Sequence, residues 1–126
     1  MIQNESVVII TDNTGAKKWK VIRILKSSNA RSACIGDKVV IAIKEASSTS
    51  SFKKWSVAWA VIVRTKKEVA RKDGTYIRFS DNAVVIVAKD QKGEVKPSGK
   101  RVFGPVAREL RDYGFKDITT MAEEVV

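Results

Sequence analysis

Valine and isoleucine alternate with polar residues along most of this chain, in "SVVIIT" (6–11), "KVIRIL" (21–26), "KVVIAIKE" (38–45), "SVAWAVIVRT" (56–65) and "YIRFSDNAVVIVA" (76–88). A two-residue period places successive side chains on opposite faces, so these runs predict five or six half-buried strands. The segments between them are short and carry turn chemistry: "DNTG" (12–15), "IGD" (35–37), "SSTSS" (47–51), "KDG" (72–74) and "QKG" (91–93). None has room for a crossover helix, so the strands are expected to form an antiparallel meander. A twisted meander of this size removes its edges most simply by closing into a small barrel. Several runs are apolar at both parities, as where Val61 precedes Ile62. Part of the barrel's outer face is therefore expected to be covered, by the long connections or by the C-terminal segment.

The period changes in the last third. Gly104 and Pro105 suit a helix start and Gly114 its end, predicting a short helix over about 105–113. Val106, Leu110 and Tyr113 would then form one stripe facing the barrel, with Arg108 and Arg111 on the other side. "TMAE" has capping-box spacing, so a second short helix is expected from Thr120. No repeat or linker interrupts the chain. The expected organisation is one domain over 1–126, a barrel over about 1–100 followed by a helical segment over about 101–126.

Charge changes the picture next. Lys and Arg number 24 against 14 Asp and Glu, a net charge of +10 over 126 residues, which favours a polyanionic partner. The apolar runs are too short to span a bilayer and no signal region opens the chain, which predicts a soluble, non-secreted protein with no membrane partner. A lone cysteine, Cys34, fits a reducing compartment and reads as a small buried hydrophobe. The absence of histidine removes zinc-finger chemistry and the commonest general base. No metal and no cofactor are expected.

The basic residues recur as pairs at element ends: Lys17 with Lys18, Lys53 with Lys54, Lys66 with Lys67, Arg71 with Lys72, Lys100 with Arg101. A single doublet is ordinary solvated surface, but the set suggests phosphate contacts distributed around the body, as for a protein wrapped by folded RNA. Aromatics interleave with the charge in "KKWK" and "KKWS", so Trp19 or Trp55 could stack on an unpaired base, worth roughly 1–3 kcal/mol. Trp59 shares parity with Val57, Val61 and Val63 and reads as core. "GEVKPSGKR" (93–101) resembles a phosphate-binding loop only superficially, because its glycine spacing is too long by one and Arg101 stands where a magnesium-binding hydroxyl belongs. Asp12, Asp37, Asp73 and Asp81 all fall at turn positions, where short carboxylates cap backbone.

"TDNTGAKK" (11–18), "IGDKVVIAIKEA" (35–46), "AVIVRTKKEVARKDGTYIRF" (60–79), "DNAVVIV" (81–87) and "GKRVFGPVARELRDYGF" (99–115) together resemble the universal large-subunit ribosomal proteins of the L-fourteen family, from end to end. The resemblance implies a mainly β fold: a small closed five-stranded barrel with a projecting β-ribbon and two short C-terminal helices. It implies a non-enzymatic constituent of the large ribosomal subunit that binds its rRNA and lies at the subunit interface. The implied partners are large-subunit rRNA, small-subunit rRNA, and neighbouring proteins including the nineteenth in bacterial numbering. The rRNA-facing candidates are Asn13, Gly15, Lys17, Lys18, Arg31, Lys53, Lys54, Arg64, Lys66, Lys67, Arg71, Lys72, Arg78, Lys100, Arg101, Arg108 and Arg111. Glycine at position 15 would let backbone approach RNA closely.

The departures from the family pattern are local. "KSSNARSACIGD" (26–37) leaves only Arg31 to bind RNA in its loop, "KKWS" (53–56) loses a Gly-Asp turn and gains Trp55, and "AEEVV" (122–126) lacks the usual proline. Asp117 stands where a basic residue is common, on the face where a ribosome-silencing factor docks on family members. Such drift points to a mitochondrial ribosome, with a bacterial one as the alternative. Two other classes share some of these features. A free RNA-binding regulator would concentrate its stacking residues on one face, and a phosphate-acting enzyme would need a titratable constellation that turn carboxylates do not supply.

Overall fold

A computed structural model describes residues 2–3, 5–12, 16–25, 32–46, 56–89 and 95–126. In chain order the elements are β1 (Val7–Ile10), β2 (Ala16–Ile24), β3 (Lys38–Ala46), β4 (Val57–Arg64), β5 (Val69–Ala70), β6 (Tyr76–Ile77), β7 (Ala83–Lys89), β8 (Val95–Pro97), β9 (Val102–Val106), α1 (Glu109–Asp112), α2 (Lys116–Met121) and β10 (Ala122–Val125). Strands β1, β2, β3, β4 and β7 hydrogen-bond in that order, and β1 returns to pair with β7, which closes the expected five-stranded barrel. Four of its five seams are antiparallel and the closing seam, Ile9 beside Ala83 and Ile10 beside Val84, is parallel. An odd number of strands cannot alternate direction all the way around a ring, so one parallel pair is unavoidable. The tip between β3 and β4, where a projecting ribbon was expected, lies outside the described residues.

The alternation in sequence becomes an inside and an outside. Val8, Ile10, Trp19, Val21, Val39, Ile41, Ile43, Ala60, Ile62, Val84 and Ile86 fill the barrel interior. The opposite parity of β4 and β7 contributes Val61, Val63, Ala83, Val85 and Val87 to a second core, closed from outside by Val102, Val106, Ala107, Leu110 and Ile118. This is why both parities are apolar there: β4 and β7 are buried on two faces, and each fully buried valine or isoleucine contributes roughly 1.5–3 kcal/mol.

The C-terminal segment departs from expectation in its local structure. Gly104 and Pro105 do not start a helix; they lie in β9, which pairs in parallel with β10 through Val102 beside Ala122 and Val106 beside Val125. Gly104 has φ +77, outside helical geometry, and Pro105 is tolerated because a two-stranded edge leaves its missing N–H uncalled for. Helix α1 is one turn, ended by Gly114 at φ +89 as anticipated. Helix α2 starts at Lys116 and contains Thr120 rather than starting there, and the stretch from Ala122 that was expected to be helical is recruited as a strand by β9. Leu110 and Val106 are buried, but Tyr113 is exposed, its ring lying over Gly36.

Candidate nucleic-acid interface

Arg64 is the first candidate the structure reassigns. It ends β4 pointing beneath the C-terminal segment, with its side chain only 9% exposed. Its Nε lies 2.9 Å from Asp81 Oδ1 and its Nη2 donates to Asp81 Oδ2 at 3.2 Å, a two-pronged pairing. Nη2 also donates to Thr11 Oγ1 at 3.3 Å, while Nη1 donates to the carbonyls of Phe103 and Pro105 at 3.1 and 3.2 Å. Those two carbonyls flank Gly104, and a β-carbon at position 104 would sit 2.3 Å from Nη1. Arg64 thus fastens β9 to the barrel and is withdrawn from the RNA-facing set. Breaking such a buried pair by removing one partner costs roughly 3–5 kcal/mol.

Arg71 is reassigned for a similar reason. Its Nη2 donates to Glu109 Oε2 at 3.2 Å and to the Val126 carbonyl oxygen at 2.7 Å, and the pair is largely buried, with side chains 13% and 21% exposed. It ties the β5–β6 hairpin to α1. At the tip of that hairpin Asp73 accepts from Thr75 N–H at 3.1 Å and Oγ1 at 2.6 Å, and Gly74 adopts φ +89 to close the turn. Those two bonds, Thr75's hydroxyl first, hold the Asp73 carboxyl below its ordinary value, with Arg108 and Arg71 adding attraction. Arg108 lies 3.7 Å from Asp73 and keeps 57% of its side chain exposed.

Between these anchors the hairpin presents cations. Lys66, Lys67, Lys72 and Arg78 are all exposed, as are Lys18, Lys100, Arg101, Arg108 and Arg111 elsewhere. Among the described residues Lys66, Lys67, Lys72 and Arg78 form no ion pair, so their charge is turned to solvent. Tyr76, in β6 of the same hairpin, is 71% exposed. Lys17 lies in β2, with its side chain outside the described residues, as are Asn13, Gly15, Arg31, Lys53 and Lys54 entirely.

The tryptophans exchange roles. Trp19 is completely buried inside the barrel, so it offers no face to a base, whereas Trp59, expected in the core, is 37% exposed on the outside. The second core starts at Val61 on that face of β4, two residues too late to cover it. Trp55 lies outside the described residues. Cys34 is half-buried rather than buried. Of the four turn carboxylates, Asp37 accepts from Cys34 N–H at 2.7 Å and Asp73 from Thr75, as expected of turn caps. Asp81 instead neutralises Arg64, and Asp12 is buried, accepting from Ile86 N–H at 3.0 Å across the barrel seam.

Among the described residues no cluster of His, Cys, Asp or Glu could hold a metal ion, and no helix is long and apolar enough to cross a membrane. The fold and surface define a class: a small β-barrel with a double core, whose exposed charge among the described residues is in cationic excess. Within that class the model of the family described as ribosomal protein L14p/L23e matches residues 1–126, and the chain belongs to that family. It is a structural protein of the large ribosomal subunit.

Proposed function

We propose that the protein binds large-subunit rRNA through its exposed cations and contributes a face to the intersubunit interface during translation. The observation that carries this reading is the β5–β6 hairpin, where Lys66, Lys67, Lys72 and Arg78 are exposed on a scaffold pinned by the Arg71–Glu109 pair. Cations held on a rigid element lose little freedom when a phosphate docks, so more of the counterion-release free energy is kept as affinity. Lys18, Lys100, Arg101, Arg108 and Arg111 extend the contact to other sides of the body. Asn13, Gly15, Lys17, Arg31, Lys53 and Lys54 belong to the same proposal through the family resemblance.

Neighbouring partners follow from the same reading: small-subunit rRNA across the interface and the nineteenth large-subunit protein. A ribosome-silencing factor would meet the groove between β8 and α2, lined by Lys96, Lys100, Asp117 and Thr120. Asp117, exposed in the first turn of α2, would weaken a partner selected for a basic residue there. The protein carries out no reaction in this proposal. Its ribosome is mitochondrial, the alternative being bacterial.

Sedimentation of native lysate tests the proposal. Co-migration with large subunits and whole ribosomes, abolished by gentle ribonuclease, is expected, and the organelle or cytosol fraction that contains it assigns the compartment. A slow-sedimenting pool indifferent to ribonuclease would overturn it in favour of a free RNA-binding regulator.

A further inference from the structure

We infer that the outer face of β2, β3 and β4 is a stacking site for an unpaired RNA base, with Trp59 as its platform. The inference rests on the RNA-binding reading above and adds a site to it. Strand register lays this face out in rows. Arg23 stands beside Val40, Val40 beside Trp59 and Trp59 beside Val87, and in the next row Lys20 stands beside Ala42 and Ala42 beside Val57. Trp59 and Val57 are 37% and 58% exposed, so the apolar band continues past the point where the C-terminal segment stops covering the barrel.

The rim of the band is cationic. Lys20 and Lys44 are partly exposed, and a bulge between Val21 and Arg23 turns Arg23 to the surface next to Val40. No acidic residue occurs in either row. Lysine is depleted from the cores of protein interfaces, so an apolar centre framed by lysines fits a polyanion that also carries flat apolar faces. RNA supplies both, and only an unpaired base has a ring face to offer. Trp59 is flanked in its row by Val40 and Val87.

Fluorescence anisotropy with a labelled twelve-nucleotide oligoadenylate and a twelve-base-pair RNA duplex, at several salt concentrations, tests the site. Trp59→Ala should weaken oligoadenylate binding about 5- to 100-fold with an unchanged salt slope, because a ring contact and no phosphate contact is lost. Trp59→Phe should retain most of the affinity, and duplex binding should change less than twofold in both. Lys20→Gln should lower the oligoadenylate salt slope by about 0.7. Unchanged oligoadenylate affinity in Trp59→Ala, or an equal loss for the duplex, overturns the inference. A parent that binds duplex but not oligoadenylate overturns the stacking site alone, and one that binds neither overturns the RNA-binding reading with it. A dimer that Trp59→Ala dissociates would assign the face to a second copy and also overturn the inference.

Discussion

Replacing Gly104 by alanine adds one methyl group where β9 crosses the Arg64 guanidinium, and the structure separates that effect from simple backbone strain. At φ +77 an alanine is strained, by about 1–2 kcal/mol. The new β-carbon would also sit 2.3 Å from Nη1, which cannot stay where it donates to both Phe103 and Pro105. The side chain can retreat only by giving up those two bonds, and charged hydrogen bonds of this kind are worth about 1.5–3 kcal/mol each. The expected total is about 4–8 kcal/mol, a large share of a typical domain stability of about 5–15 kcal/mol. Gly74→Ala is the control: its φ is +89, yet a β-carbon there meets nothing within 4 Å, so it carries strain alone. In urea unfolding, with a slope of about 2 kcal/mol per molar, the midpoint should fall by about 2–4 M for Gly104→Ala and by no more than about 1 M for Gly74→Ala. Gly36→Ala should resemble Gly74→Ala, because the Tyr113 ring in its way is 61% exposed and free to swing out. Equal midpoints for Gly104→Ala and Gly74→Ala would refute the claim that the glycine exists to admit the guanidinium.

Leu110→Ala should cost roughly 2–5 kcal/mol, since the side chain is completely buried under the second core, and an unchanged melting temperature would show that α1 is not packed as described. Lys66→Ala should weaken binding to duplex RNA by a similar factor whatever its sequence and reduce the salt slope by nearly one unit; an unaltered slope would remove Lys66 from the contact set. Acid should probe Asp73, whose folded-state pKa lies below its ordinary value of 3.8 because the Thr75 hydroxyl and N–H favour the charged form. A lowered folded pKa means the carboxylate's contribution is fully present above the unfolded value and is lost as pH falls through the folded one. The stability gap between the parent and Asp73→Ala should therefore be constant from pH 7 to about 5 and shrink below about pH 4, and a gap that persists at pH 2 would contradict the assignment.

Much of the interface was legible because charge at strand ends and hairpins has few places to go but solvent. Lys66, Lys67, Lys72 and Arg78 are exposed as their setting in "RTKKEVARKDGTYIRF" suggests. Arg64 and Arg71 come from the same string and look identical in sequence, yet both are tethers. Their acceptors, the carbonyls around Gly104 in one case and Glu109 in the other, lie 38 or more positions away along the chain. A charge pattern reports how many cations a segment carries, not which of them meets a carboxylate contributed from elsewhere.

The same division runs through the whole molecule. Period-two alternation, short turn-rich connections and the excess of lysine and arginine determined a small basic β-barrel, because those features act within a strand or over the whole charge balance. Its parallel closing seam follows from the number of strands and needed no further instruction. What only the tertiary structure decided is where the second layer ends. The C-terminal segment covers β4 from Val61 onward and leaves Trp59 outside, and β9 draws Ala122–Val125 out of a helical pattern into a strand. Coverage and strand pairing are contacts between distant segments, and their free energy outweighs the local preferences on which a reading of the chain depends.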